Sequence, residues 1–498
     1  MNPRWFAFWL SACLPFVSFA ADGRPNVLMI AVDDLNDWVE PLGGHPDAQT
    51  PNMARLARQG LTFTNAHCQS PLCNSSRCSL MLSMRPGTTG IYGLGPFYKK
   101  TEFADRESLN QCFRRQGYET YTAGKIYHGQ FGRGPEQFDH VGPPGVPGVT
   151  PPKKLVPPTP AGNNPWVDWG VFEHDEADKG DHRVATWCVD QLGKLPEDKP
   201  FFMACGFFLP HVPCHVPPSW WDRFDHDALR LPVHDGSDRK NCSPFSWYLH
   251  WQLPEPRMSW LDHHDQHRNL VHAYLACTTF ADAQIGRVLN ALEATGRADN
   301  TIICLWSDHG WHLGEKNITG KNSLWERSTH VPVIFAGPGI PAGATSGSPA
   351  ELLDVYPTLA DLAGLDTPGD LEGLSLRPQI DDPNRIRERP ATTDHNPGNQ
   401  GIRGERYRLI HYADGSEELY DVLDDPTESN NLIGDDRYAA EADTLRRYLR
   451  DDMAGLIAGS HSRVLEHTDA GWVWQGKVID PDHPPMSIEP NDPKDLPR

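Results

Sequence analysis

The chain has 498 residues and a mass of 55.7 kDa, and its 45 Lys and Arg against 66 Asp and Glu leave a formal net charge of −21. That balance excludes a general nucleic-acid binder, which needs a basic face to neutralise phosphates. The length fits about three domains or one large α/β core, and 46 Pro, 43 Gly and 16 Trp beside only 38% hydrophobic residues describe many ordered loops on a compact scaffold.

Residues 1–20 read as a secretory signal peptide. Arg4 precedes an apolar stretch from Trp5 to Phe19, and Ser18-Phe19-Ala20 offers a cleavage site after Ala20. Leu10-Ser11-Ala12-Cys13 resembles a lipoprotein box, but using it would strand Leu14 to Ala20 as a hydrophobic tail. The expected destination is therefore periplasmic, extracellular or lysosome-like. No later run reaches the roughly 18 apolar residues of a membrane span. Among the remaining cysteines, Cys68, Cys78, Cys112, Cys188, Cys205, Cys214, Cys242, Cys277 and Cys304 show no C-x-x-C spacing. Some of them are expected to pair in an oxidising compartment, with the partners left open.

In chain order, Asn26 to Val32 reads as a buried strand, Thr50-Pro51 caps a helix ending at Gly60, and Leu61 to Asn65 is a strand. A helix over Glu107 to Gln116 precedes the strand Tyr118 to Ala123. His182 to Leu195 is helical and Pro200 to Phe208 a strand. A long helical pattern runs from Gln266 to Gly296, followed by the strands Thr301 to Trp306 and Val331 to Ala336. This alternation predicts a doubly wound α/β sheet with right-handed crossovers over residues 21–385. Two inserts, Val141 to Pro165 and Pro217 to His264, are too long for simple connectors and are candidate rim loops. Residues 386–460 read as a smaller C-terminal α+β subdomain, with strands at Tyr407 to Tyr412 and Glu418 to Tyr420 and a helix near Asp436 to Ala458. Residues 461–498, acidic and proline-rich, read as a wrapping tail or a loose end.

Polar residues follow strand after strand at the carboxyl edge of this sheet, where open α/β sheets bind ligands. Asp33-Asp34, then Lys125 and His128, then His211, then Asp308-His309 each trail a predicted strand. Asp33, Asp34 and Asp308 offer hard oxygen ligands for Ca2+ or Mg2+, with His309 as a nitrogen ligand or neighbour. Arg77, Lys125, Lys321 and the histidines supply positive charge and exchangeable protons around an anionic ester. His263, His264 and His267 have no partner motif and read as a solvated helix start.

The most specific signal is Pro71-Leu72-Cys73-Asn74-Ser75-Ser76-Arg77, followed by Met84-Arg85-Pro86-Gly87-Thr88-Thr89-Gly90. Here the chain resembles the type I sulfatases of the alkaline-phosphatase superfamily. The likeness continues through Gly124-Lys125-Ile126-Tyr127-His128, Leu209-Pro210-His211, Ser307-Asp308-His309-Gly310, Gly320-Lys321 and Glu418-Leu419-Tyr420-Asp421, in motifs most similar to the iduronate-2-sulfatase lineage. The resemblance implies an alkaline-phosphatase-like mixed sheet flanked by helices and hydrolysis of sulfate esters on sulfated carbohydrate. It also implies one Ca2+ held by Asp33, Asp34, Asp308 and His309, with residue 73 as a further ligand.

A formylglycine-generating maturation enzyme would convert Cys73, whose hydrated aldehyde is the nucleophile. A helix starting just after Cys73 would aim its amides at sulfate. By the same resemblance Arg77 holds the hydrate, His128 is the base on its second hydroxyl, His211 and Lys321 bind sulfate and protonate the leaving alcohol, and Lys125 bridges both. His395 and Arg403 are candidates for sugar contacts. One position departs from the family: Ser75 stands where Pro or Ala is usual in the segment that maturation enzymes read. Two other functions compete. One is a phosphate or phosphonate ester hydrolase of the same superfamily, disfavoured by Lys125, His211 and Lys321 standing where further metal ligands would be. The other is a non-catalytic glycan-binding relic, supported only by Ser75.

Overall fold

The run Asn26–Val32 (β1) is apolar almost throughout because both of its faces are covered. In the computed structural model Val27, Met29 and Ala31 enter one hydrophobic cluster, and Leu28, Ile30 and Val32 the other. The structure describes residues 23–159, 162–232, 239, 242–249, 254–460, 463–474 and 476–479; the expected signal peptide with Cys13 and the end of the tail lie outside the described residues.

The larger elements that follow are α1 (Pro51–Gln59), β2 (Gly60–Phe63), α2 (Cys73–Leu82), α3 (Leu109–Arg115), β3 (Glu119–Gly124), β4 (His140–Pro144), α4 (Gly180–Leu192) and β5 (Phe201–Phe207). Next come α5 (His267–Ala294), β6 (Thr301–Ser307), β7 (Val333–Ala336), β8 (Ala344–Ser346) and α6 (Val355–Leu362). The eight strands form one mixed sheet in the order β8-β2-β7-β6-β1-β5-β3-β4, in which β7 alone runs against its neighbours. α1, α4 and the C-terminal half of α5 cover one face through Leu56, Val184 and Ile285; α2, α3 and α6 cover the other through Leu80, Phe113 and Leu359. The N-terminal half of α5 instead packs in one cluster with both inserts, Leu270 and Tyr274 joining Val156 of the first and Trp220 and Trp260 of the second.

A second sheet of four antiparallel strands, β9 (Ala391–Asp394), β10 (Gln400–Arg403), β11 (Tyr407–His411) and β12 (Glu417–Asp421), carries the short helix α7 (Ala439–Arg446) on Ile402, Leu409 and Leu419. Three short strands over 465–478 follow, and Leu465 and Trp474 pack with Tyr412, Tyr420 and Trp325.

Five expectations need correction. The first insert opens with an edge strand, β4, paired with β3, where its Pro and Gly content predicts a loop. The helix predicted to Ala458 ends at Arg446, because the chain beyond it bonds elsewhere: Ala454 N–H donates to Gly87 O and Ile457 N–H to Gly90 O. Thr50 does not cap α1 with its side chain; the first turn is capped from α5, where the Asp282 carboxylate accepts from Asn52 N (3.0 Å) and Met53 N (2.8 Å). The ten described cysteines are free thiols, all buried but Cys242. Finally, the histidine cluster is not a solvated helix start: His263 and His264 close a short helix over Met258–His263, and His267, the first residue of α5, is buried with Nε2 donating to Leu313 O at 2.6 Å.

Candidate active site

Four adjacent strands, β6, β1, β5 and β3, end at one edge and deliver Asp308, Asp33-Asp34, His211 and Lys125 to one place. Close backbone approach makes this possible. A Cβ at Gly124, where φ is +77°, would stand 1.7 Å from Gly206 O, so β3 and β5 draw together just where Lys125 turns inward. Asp34 is itself left-handed (φ 58°), a conformation that Asp tolerates better than most residues. Its N–H donates to Asp308 Oδ1 at 3.1 Å, and its carbonyl accepts from Tyr274 OH at 2.8 Å.

Cys73 is the first residue of α2 and is almost fully buried. Its Sγ accepts from Lys321 Nζ at 3.0 Å and from Lys125 Nζ at 3.7 Å, and lies 3.2 Å from His309 Nε2. Burial alone would push this thiol up, but Lys125, Lys321 and His309, with a hydrogen bond to His128, hold it well below its ordinary value. The helix is locked in place from both sides. Ser76 Oγ donates to Asp308 O at 2.6 Å, and Ser75 Oγ donates to Ser70 Oγ at 2.6 Å and to Leu72 O.

Arg77 sits one turn further on, with no exposed surface. It bridges two carboxylates, Nε to Asp308 Oδ2 (2.8 Å) and Nη2 to Asp33 Oδ1 (2.9 Å), while Nη1 serves the carbonyls of Lys125 and Ile126. It therefore braces the acidic cluster from behind. The two carboxylates that share it differ. Burial pushes Asp308 up to about 6 despite Arg77 and His309. For Asp33 the same burial is outweighed by Lys125, with His211 and Arg77, and its carboxyl stays well below the usual range.

The donors fit a hard divalent cation. Asp34, Cys73, Asp308 and His309 present ligand atoms within 4.8 Å of one another, as do Asp33, Asp34, Cys73 and His211. Asp34 Oδ1 holds Lys321 Nζ at 2.6 Å, whereas the buried Oδ2 has no hydrogen-bond partner among the described residues. His309 Nδ1 donates to Gly310 O at 3.1 Å, which leaves Nε2 turned toward Asp34 (3.4 Å) and Asp308 (3.5 Å).

Above Cys73 opens a cavity of about 450 Å³ whose lining includes Lys125, His128, His211 and Lys321. His211 Nδ1 donates to Val212 O at 2.6 Å and turns Nε2 toward Asp34 Oδ2, 3.8 Å away. Burial holds His128 below its ordinary value, against the hydrogen bond to Cys73. Lys321 lies over the Trp311 ring and Lys125 over Phe208. Burial would lower Lys321, but Asp34 and Cys73 outweigh it and keep the ammonium firmly charged.

The structure thus gathers Asp33, Asp34, Cys73, Arg77, Lys125, His128, His211, Asp308, His309 and Lys321 at one point. It does not bring His395 and Arg403 to the cavity. His395 is fully buried, and Arg403 pairs with Glu326 and its own neighbour's carbonyl. Both inserts line the cavity, through Val146 and Asn164 from the first and Pro254 and Glu255 from the second. Trp166, Glu255, Trp311 and Arg463 also line it and were not singled out from sequence; only Trp311, directly after Gly310, adjoins a recognised motif.

Buried ammonium groups, an acid-histidine cluster and an activated position at a helix N-terminus together define a hydrolase centre for an anionic ester. Residues 25–365 match the Sulfatase family model, and residues 314–454 match the model for the C-terminal region of N-sulphoglucosamine sulphohydrolase. A sulfatase of Formosa agariphila is 36% identical over 454 residues, covering 86% of each chain. Human iduronate 2-sulfatase is 28% identical, covering 69% of this chain and 70% of its own. The solved structure of a 2-O GAG sulfatase superposes with a TM-score of 0.68 at 25% identity, covering 85% of this chain and 91% of the other. The chain belongs to the type I sulfatase family and is a sulfuric ester hydrolase.

Proposed function

We propose that this enzyme is exported and removes sulfate from sulfated carbohydrate, with Cys73 matured to formylglycine by a maturation enzyme and Ca2+ at the acidic cluster. The observation that carries this reading is the placement of Cys73 at the floor of the cavity, 3.0 Å from Lys321 and 3.2 Å from His309. Names of relatives support sulfated carbohydrate as the class, with charged and uncharged sugars both represented: iduronate 2-sulfatase in human, and Delta 4,5-hexuronate-2-O-sulfatase and N-acetylglucosamine-6-O-sulfatase in Bacteroides thetaiotaomicron. Among the described residues no helix is long and apolar enough to cross a membrane.

A cation held by Asp33, Asp34, Asp308 and His309 would supply Lewis acidity toward the ester, and a formylglycine hydrate at position 73 would supply the attacking hydroxyl. The chain's own groups do the rest. Lys125 and Lys321 present fixed positive charge to the sulfate oxygens at the cavity floor, with no reorganisation needed as charge develops. His211 keeps Nδ1–H on the Val212 carbonyl, so Nε2 is the atom that carries a proton to the departing sugar oxygen, assisted by Lys321 Nζ. His128, held neutral by burial, accepts a proton from residue 73. Arg77 fixes Asp33 and Asp308 in place, and the buried Arg403, paired with Glu326, braces the second sheet.

Because His128 must be neutral to accept that proton, and burial depresses its pKa from 6.5, activity is expected to persist as pH falls through 6.5 and to be lost only below it. The acid limb of kcat/KM should lie below pH 6.5 and should vanish from the profile of His128→Ala. An acid limb above pH 6.5 would show that another group titrates. The reading as a whole is tested by ion chromatography of sulfate and phosphate released from a panel of sulfated glycans and matched phosphate esters, before and after chelation and Ca2+ return. Release of phosphate in preference to sulfate would overturn it.

A further inference from the structure

The cavity lining carries polar groups that the proposed chemistry does not use. Glu255, from the second insert, is only 4% exposed, and its Oε1 pairs with Arg463 Nη1 of the tail at 3.3 Å. Its Oε2 is buried with no hydrogen-bond partner among the described residues, although the side chain lines the cavity. An ionised carboxylate oxygen left in that state is costly unless a ligand donates to it. The position is held by packing. A Cβ at Gly320, where φ is +94°, would stand 2.9 Å from Glu255 Cγ, so the absent side chain of Gly320 makes room for Glu255 beside Lys321. Just after the first insert Trp166 is 51% exposed, and its loop is fixed by Trp166 N and Val167 N donating to Asn164 Oδ1 and O. Three segments far apart in sequence thus meet around one volume.

We propose that Trp166, Glu255 and Arg463 form a subsite for an uncharged, hydroxyl-bearing sugar ring; this rests on the sulfatase reading and specifies the part of the substrate beyond the ester. The indole offers a flat apolar wall for one ring face. A ring hydroxyl donates to Glu255 Oε2, and its neighbour accepts from Arg463, the pattern that a vicinal diol satisfies. A second anion does not fit. The Arg463 charge is already matched by Glu255, so a carboxylate placed here would face a buried like charge.

The test compares matched monosulfated methyl hexopyranosides and methyl hexuronides, with a small aryl sulfate as reference, on the full chain. Wild type should favour the hexopyranosides in kcat/KM. Glu255→Gln keeps the shape but removes the negative charge, and should shift the hexuronide-to-hexopyranoside ratio upward by about tenfold or more. Trp166→Ala should lower kcat/KM on saccharides relative to the aryl sulfate by about tenfold, mainly through KM. A ratio that stays fixed in Glu255→Gln, or a wild-type preference for hexuronides, overturns the subsite while leaving the hydrolase reading intact. A wild-type protein that turns over neither saccharide class but cleaves the aryl sulfate overturns the subsite alone, and one that cleaves none of the three overturns both.

Discussion

Turnover of sulfate esters by Cys73→Ala is expected to fall by on the order of 10^4-fold or more, because in the proposed mechanism the variant loses the side chain that becomes the attacking group. The fold should survive the change. Cys73 sits at the first position of α2, and that helix is anchored through Ser75 and Ser76 rather than through the thiol. Lys321 keeps Asp34 as a partner at 2.6 Å once the sulfur is gone. Sulfate release and thermal midpoint, measured on the same preparation, separate the two effects. Substantial residual turnover in Cys73→Ala would remove Cys73 from the chemistry.

Arg77→Met is expected to act on stability and activity together. The guanidinium has no exposed surface and neutralises Asp33 and Asp308 at once. Removing it leaves two buried carboxylates without their shared cation, a change that typically costs about 3–5 kcal/mol. Arg77→Lys should recover only part of this, since an ammonium cannot reach both carboxylates and the Lys125 and Ile126 carbonyls from one point. Urea unfolding should therefore rank wild type above Lys and Lys above Met, with sulfate release in the same order. Equal stability of Arg77→Met and wild type would mean that the acidic cluster is held by other means.

Much of the site was legible because the sheet itself sorts residues by position. Once Asn26 to Val32 and Thr301 to Trp306 read as buried strands, Asp33-Asp34 and Asp308-His309 were bound to share an edge, and β1 and β6 are in fact paired neighbours. Periodicity could not reveal β4, whose Pro and Gly residues form an irregular edge ladder with a register shift. Nor could it show where α7 stops, because the stop is set by backbone bonds to Gly87 and Gly90, more than three hundred residues away in sequence. His395 and Arg403 were read as cavity residues from their place at the start of the smaller sheet. Sequence carries no sign of side-chain direction there, and Arg403 turns to Glu326, which also holds Arg408. Trp166, Glu255 and Arg463 share no motif and meet only through tertiary packing.

The chemistry proposed for position 73 leaves a covalent mark. In active protein from a host that supplies the maturation enzyme, the tryptic peptide containing Cys73 should be lighter than its encoded mass, should react with a hydrazide probe and should resist thiol alkylation at that position. Active protein in which that peptide has its encoded mass and carries only an alkylatable thiol at Cys73 would contradict the mechanism.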